Sequence, residues 1–296
     1  MMKILRKIVL VFILSVSFFE LQAQVQYGLS FDRERYLQYE KIQVTFTVVN
    51  NSGTRLTFGA NERSGKLKIL VVDPENRLVP AYDKKFNPVN GLVLAAGETK
   101  SLVFNINEHF SMTRLGRFSV SASMTHPALT GLAFETKPKI LNVESGTVLR
   151  KKTFGVVDLE DSNVIHPRSY EIISFKEKEG DIVCLKVYDK QWVYALLRLG
   201  PYVTGVKVNH DVDTFSNIHT MIQVKPRVFI HMVFSDTGSI KQFIVYRATF
   251  ENVPVMVRDS KLGTVRIFGG EKLTEGEDYI RIGNTLELRN VDPDLN

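Results

Sequence analysis

The chain has 296 residues, 44% hydrophobic and 24% charged, with a formal net charge of +6. That composition is globular and excludes a disordered or collagen-like chain. The basic excess is spread along the sequence rather than gathered into the patch or stripe of a nucleic-acid binder, so nucleic acid is not an expected partner. The length predicts two domains, each large enough to bury a core without staples.

In chain order, Lys3, Arg6 and Lys7 precede the apolar run Ile8–Phe19, and Leu21-Gln22-Ala23 ends on a small residue. These features set residues 1–24 apart as a secretory signal peptide cut after Ala23. The apolar run is shorter than the roughly 20 residues a spanning helix needs, so no membrane span is expected in the mature chain. No lipid anchor is expected either, because Gln24, not a cysteine, directly follows the cut. The protein is expected to be secreted or periplasmic.

Val25–Asp32 reads as a first strand. In Lys41–Gly59, Ile42, Val44, Phe46 and Val48 alternate with Gln43, Thr45 and Thr47, which is the period of a half-buried strand. Asn50-Asn51-Ser52-Gly53 supplies a turn. Lys66–Asp73, Thr99–Ile106, Gly116–Ser123 and Leu132–Val143 follow as strands, with corners at Asp73-Pro74-Glu75-Asn76 and Leu94–Glu98. Pro138 marks an edge or a bulge. Seven or more short strands with turn signals predict a sandwich over residues 25–145. Val44, Phe46, Phe104, Phe118 and Val120 are expected to share its core.

The pieces Val44–Gly53, Ala95–Glu98 and Gly116–Ala122 resemble those of bacterial immunoglobulin-like modules, the proteinase-inhibitor type. The resemblance implies an Ig-like β-sandwich. Phe118 departs from the pattern, because a tyrosine there would give a hydrogen-bonded corner and phenylalanine has no hydroxyl.

Residues 146–168 read as a connector, with the solvated cluster Arg150-Lys151-Lys152 and then His166-Pro167; the alternative reading makes Thr153–Leu159 a strand. Strands recur from Tyr170–Phe175 to Leu286–Leu288, so residues 169–296 form a second antiparallel β domain, closing as a sandwich or barrel or stacking as propeller-like blades. This half resembles uncharacterised secreted bacterial proteins, which implies no activity. The fold class expected for the whole chain is all-β.

Few residues suggest chemistry. Cys184 is alone, so it forms no intramolecular disulfide and reads as a small buried hydrophobe. Asp236-Thr237-Gly238-Ser239 spells an aspartic-protease fragment, but no second Asp-Thr/Ser-Gly is present and Ser235 replaces an apolar residue, so it reads as a hairpin turn. Trp192, Tyr194 and Tyr202 are the ligand-binding candidates: exposed, they would stack on a sugar or peptide, and buried, they are core. No cofactor and no metal is expected. The histidines that could share a metal are His210, His219 and His231. A three-residue loop Lys225-Pro226-Arg227 places His219 opposite Val233 with His231 diagonal on the same face, whereas a two-residue loop puts the two rings on opposite faces.

No phosphate loop, nucleophile elbow or reactive-cysteine signature is present. The expected function is non-catalytic binding or scaffolding of an unknown protein or glycan at the cell envelope. One alternative is a hydrolase with its site at His210–His219 or Asp236. The other is a proteinase inhibitor acting through Asn61–Gly65 or Asp83–Gly91.

Overall fold

A computed structural model describes residues 25–129, 134–158, 160–282 and 285–289, so the signal-peptide expectation lies outside it. The chain is all-β, and its described helical residues form one 3₁₀ turn, Ile106–Glu108. Among the described residues no helix is long and apolar enough to cross a membrane. The chain divides into two compact units: residues up to Tyr36 with Lys41–Val143, and Leu37–Glu40 with Glu144 onward.

The first unit is built from β1 (Val25–Phe31), β2 (Arg35–Leu37), β3 (Gln43–Asn50), β4 (Leu56–Thr57), β5 (Lys66–Val72), β6 (Leu78–Val79), β7 (Val93–Leu94), β8 (Thr99–Asn105), β9 (Gly116–Thr125), β10 (Phe134–Glu135) and β11 (Lys139–Glu144). One antiparallel sheet runs β1-β3-β8 and the other β2-β11-β9-β5-β6, with β10 also on β9. The period-two pattern decides which faces meet. Val44, Phe46 and Val48 of β3 share one core with Phe118, Val120 and Ala122 of β9 and with Leu67, Ile69 and Val71 of β5, and Phe104 packs on its rim. Pro138 falls in the break between β10 and β11, where a residue without an N–H interrupts no ladder bond.

Asn50 is fully buried at the end of β3. Its amide donates to the carbonyls of Thr54 (2.7 Å), Leu94 (3.3 Å) and Ala95 (2.9 Å), while its oxygen accepts from the Ser52 N–H (3.0 Å). One side chain thereby ties the Asn50–Gly53 turn to the corner at Ala95.

The second unit contains β12 (Thr147–Val157), β13 (Ile165–Lys176), β14 (Asp181–Tyr188), β15 (Val193–Pro201), β16 (Asn209–Val212), β17 (Ile218–Lys225), β18 (Val228–Phe234), β19 (Ile240–Arg247), β20 (Val255–Arg258), β21 (Val265–Phe268), β22 (Glu271–Leu273), β23 (Tyr279–Ile282) and β24 (Thr285–Leu288). Its two larger sheets run β12-β13-β14-β15 and β16-β17-β18-β19-β22, and the pairs β20-β21 and β23-β24 complete it; none of these sheets closes into a barrel. Tyr170, Ile172, Leu185 and Val187 from the first larger sheet pack with Ile218, Ile222, Ile230 and Met232 from the second. Ile173, Phe175 and the buried Cys184 face the other way, with Leu37. Arg198 of this unit is sandwiched between the carboxylates of Glu40 and Glu177.

The stretch expected as a connector, residues 146–168, is instead β12 and the start of β13. The reason is positional. β12 is the edge strand of its sheet, and edge strands carry charge that a central strand would not. Arg150-Lys151-Lys152 therefore sits within a strand, and Lys152 pairs with Asp211 at 2.5 Å rather than being simply solvated. Gly146 precedes β12 where a Cβ would lie 2.3 Å from Ile173 Cγ2, so only glycine lets the chain pass.

Candidate functional site

An open concavity lies in the first unit. Among the described residues, β1 ends the three-stranded sheet and pairs only with β3, and β10 pairs only with β9. Between them runs an open groove of about 510 Å³, lined by Val25–Leu29, by Phe134–Lys137 and by Lys139. Tyr27 is among the lining residues, its ring tilted on Phe46 at 6.1 Å and edge-on to Phe134 at 6.2 Å. Burial, with the charge of Glu135 nearby, pushes the Tyr27 hydroxyl up to about 12, so it stays a neutral donor. Along the wall, a Cβ on Gly28 would meet nothing within 4 Å. An edge strand offers a row of backbone donors and acceptors, which is the surface an extended peptide adds to. Val25–Asp32 reads as a strand from its residues alone, but only the sheet order reveals an edge.

The aromatic candidates separate. Trp192 is 66% exposed and Tyr194 is 38% exposed. Both stand near the β14–β15 turn, where Asp189 accepts from the Tyr194 hydroxyl (2.5 Å) and the Trp192 N–H (2.8 Å). These bonds hold the Asp189 carboxyl down at about 2. Beneath Tyr194 lies the buried Arg168 guanidinium, 3.6 Å from the ring centre. Tyr202 follows the far end of β15, roughly 25–30 Å along the strand, and packs against the core. The three therefore form no single platform.

The histidines separate too. His210 lies opposite Thr220 on the core-facing side of its sheet, and its Nδ1 bonds the Tyr170 hydroxyl at 2.7 Å. His219 and His231 occupy the other face, with His219 Nδ1 3.1 Å from His231 Nε2 and the rings stacked 5.3 Å apart. His219 lies opposite Val233, and Met221 lies opposite His231. That is the diagonal expected from a three-residue loop, but the chain reaches it differently. Lys225 pairs with Val228, leaving a two-residue turn, and a bulge between Gln223 and Lys225 restores the parity. Arg227 takes a positive φ of 58° in that turn. Because the two imidazoles bond each other rather than aiming at a common point, they form no metal cage with His210. Among the described residues no group of three or more His, Cys, Asp or Glu side chains is arranged to hold a metal.

Asp236 sits in the β18–β19 turn, where its main-chain oxygen accepts from Arg168 at 3.1 Å. Gly238 N–H donates to Ser235 O at 2.9 Å and closes the turn. Of the two loops considered for inhibition, Asp83–Gly91 is anchored through the buried Val89 and through Phe86 packed on the core. In Asn61–Gly65, residues 61–63 are exposed, while Ser64 is buried and bonds Asn61 at 2.5 Å.

No family model matches the chain, and no curated protein does. Among solved structures, it has 10% identity to the sporulation control protein Spo0M of Bacillus subtilis, over 60% of this chain and 89% of that one, with a TM-score of 0.27. It has 11% identity to the YadV chaperone over 72% of this chain and 96% of that one, with a TM-score of 0.25. It has 8% identity to a 217–571 segment of S. aureus TarS over 89% of this chain and 62% of that one, with a TM-score of 0.21. At those scores none of the three carries an argument about this protein.

Proposed function

We propose that the protein is a non-catalytic binding protein acting outside the cytoplasm. Its first unit, an immunoglobulin-like sandwich, takes an extended segment of a partner protein as an added strand. The observation that carries this reading is the groove along the unpaired edge of β1. Backbone hydrogen bonds at such an edge supply affinity, and the alternate side-chain positions supply specificity. The basic, apolar, small-residue order of residues 1–23 supports export.

The test is selection of displayed extended peptides on the mature chain, followed by titration of the selected peptides against Gly28→Lys. Gly28 has a negative φ and open space at its Cβ on the exposed face of β1, so the substitution sets a charged side chain beside the edge, where charge opposes strand addition, without disturbing the fold. Binding is expected to fall about tenfold or more, the ~1.4 kcal/mol loss of one good contact, with an unchanged melting temperature. Slowed amide exchange in β1 on binding accompanies it. Peptides that bind Gly28→Lys as well as wild type, or a selection that yields none, refute the reading.

A further inference from the structure

A hydrogen-bonded chain in the second unit runs from solvent to a buried dead end. The exposed Lys241 ammonium donates to Asn217 Oδ1 at 2.6 Å. Asn217 Nδ2 donates to Asp213 Oδ2 at 2.8 Å. The same carboxylate oxygen lies 3.2 Å from His219 Nε2, and His219 Nδ1 lies 3.1 Å from His231 Nε2. His219 is 6% exposed and His231 4% exposed. His231 Nδ1 is buried with no hydrogen-bond partner.

The partners fix the protons. Burial works against charge on Asp213, but hydrogen bonds from Asn217 and His219 outweigh it and hold its pKa below the ordinary value. The ionised carboxylate only accepts, so His219 Nε2–H donates to it. While His219 is neutral, its Nδ1 accepts from His231 Nε2–H. This leaves a bare lone pair on His231 Nδ1. A proton added there has no acceptor to meet, and a buried charged imidazole without a partner is costly.

We propose that the Asp213–His219–His231 chain is a proton-operated latch that holds β16, β17 and β18 closed near neutral pH and releases them on acidification. In the opened segment one proton from solvent binds His231 Nδ1, and water replaces His219 as the partner of its Nε2–H. Burial and then the neighbouring His219 push the folded His231 ring down to about 4, whereas an exposed imidazole titrates near 6.5. The opened form therefore binds the extra proton first. Closure is fully favoured above about pH 6.5 and weakens as pH falls toward 4.

Among the described residues, the charged and titratable groups around the latch are few. On β16, Asp211 lies opposite His219, held by Lys152 at 2.5 Å and 3.9 Å from Arg258 of β20. Arg258 also donates to Val212 O at 3.0 Å. On β17 and β18 the same-face neighbours, Met221, Gln223, Val233 and Phe229, are uncharged. On β19, Gln242 and Ile244 lie opposite Val233 and His231, with Lys241 at the bulge and Tyr246 a further step along. Lys272 of β22 lies opposite Tyr246. Asp211 is ion-paired to Lys152, and among the described residues no group gives His231 Nδ1 an acceptor.

The test is native-state hydrogen exchange of the 213–234 segment in the full mature chain at pH 7 and pH 5, corrected for intrinsic rates. Wild type is expected to open about twentyfold to thirtyfold more readily at pH 5, the ratio given by ring pKa values of 4 and 6.5. His231→Gln keeps an N–H for His219 but cannot titrate, and is expected to lose most of that dependence. An equal pH dependence in both proteins overturns the proposal. Should His231→Gln fail to fold, imidazole NMR of wild type decides: a His231 ring titrating below pH 5 supports the latch, and one titrating near 6.5 overturns it.

Discussion

The Gly238→Ala substitution tests the packing of the second unit at one point. Gly238 closes the β18–β19 turn with a φ of +85°, and a Cβ there would lie 2.3 Å from Ala195 Cβ on β15. Two costs follow. Left-handed backbone costs an L-residue roughly 1–2 kcal/mol, and the forced overlap costs about 1–3 kcal/mol. The expected loss is about 2–5 kcal/mol. Ala195→Gly alone should cost only ~0.5–1 kcal/mol. In the double variant the overlap disappears while the backbone strain remains, so the two substitutions should couple by about 1–3 kcal/mol. Urea unfolding followed by fluorescence reads this directly, because Trp192 is the chain's one tryptophan and lies on the same β14–β15 hairpin as Ala195. A Gly238→Ala loss below about 1 kcal/mol, or a coupling near zero, would refute the contact between turn and strand.

Two further substitutions probe the first unit. Phe46 is fully buried in the middle strand of its sheet, so Phe46→Ala should cost ~3–5 kcal/mol in guanidinium melts; a loss under about 1 kcal/mol would mean the register is wrong. Asn50→Asp replaces an amide donor facing three carbonyls with a carboxylate that can only accept. It should cost about 3 kcal/mol or more at pH 7, and more than Asn50→Ala, because a buried charge then faces partial negative charge; equal losses in the two variants would show that the carbonyls are not its partners.

Short-range patterns among neighbouring residues set the local grammar. Period-two alternation placed Val44, Phe46, Phe118 and Val120 in one core, and the chemistry of Asp and Gly marked the turn at Asp236–Gly238. These features are legible because they depend on neighbours a few residues apart. Tertiary structure decided what depends on distant partners. Residues 146–168 gave no strong alternation because an edge strand answers to one neighbour and to solvent. β1 became a candidate binding edge only through its place at the end of a sheet. Trp192 and Tyr202 parted because a whole strand separates them. His219 and His231 came together, and His210 stayed away, through one unpaired residue between Gln223 and Lys225. Side-chain faces repeat every two residues, so a single bulge reverses every assignment beyond it. Nothing in the letters of a strand announces that extra residue; the packing on both faces of the sheet does.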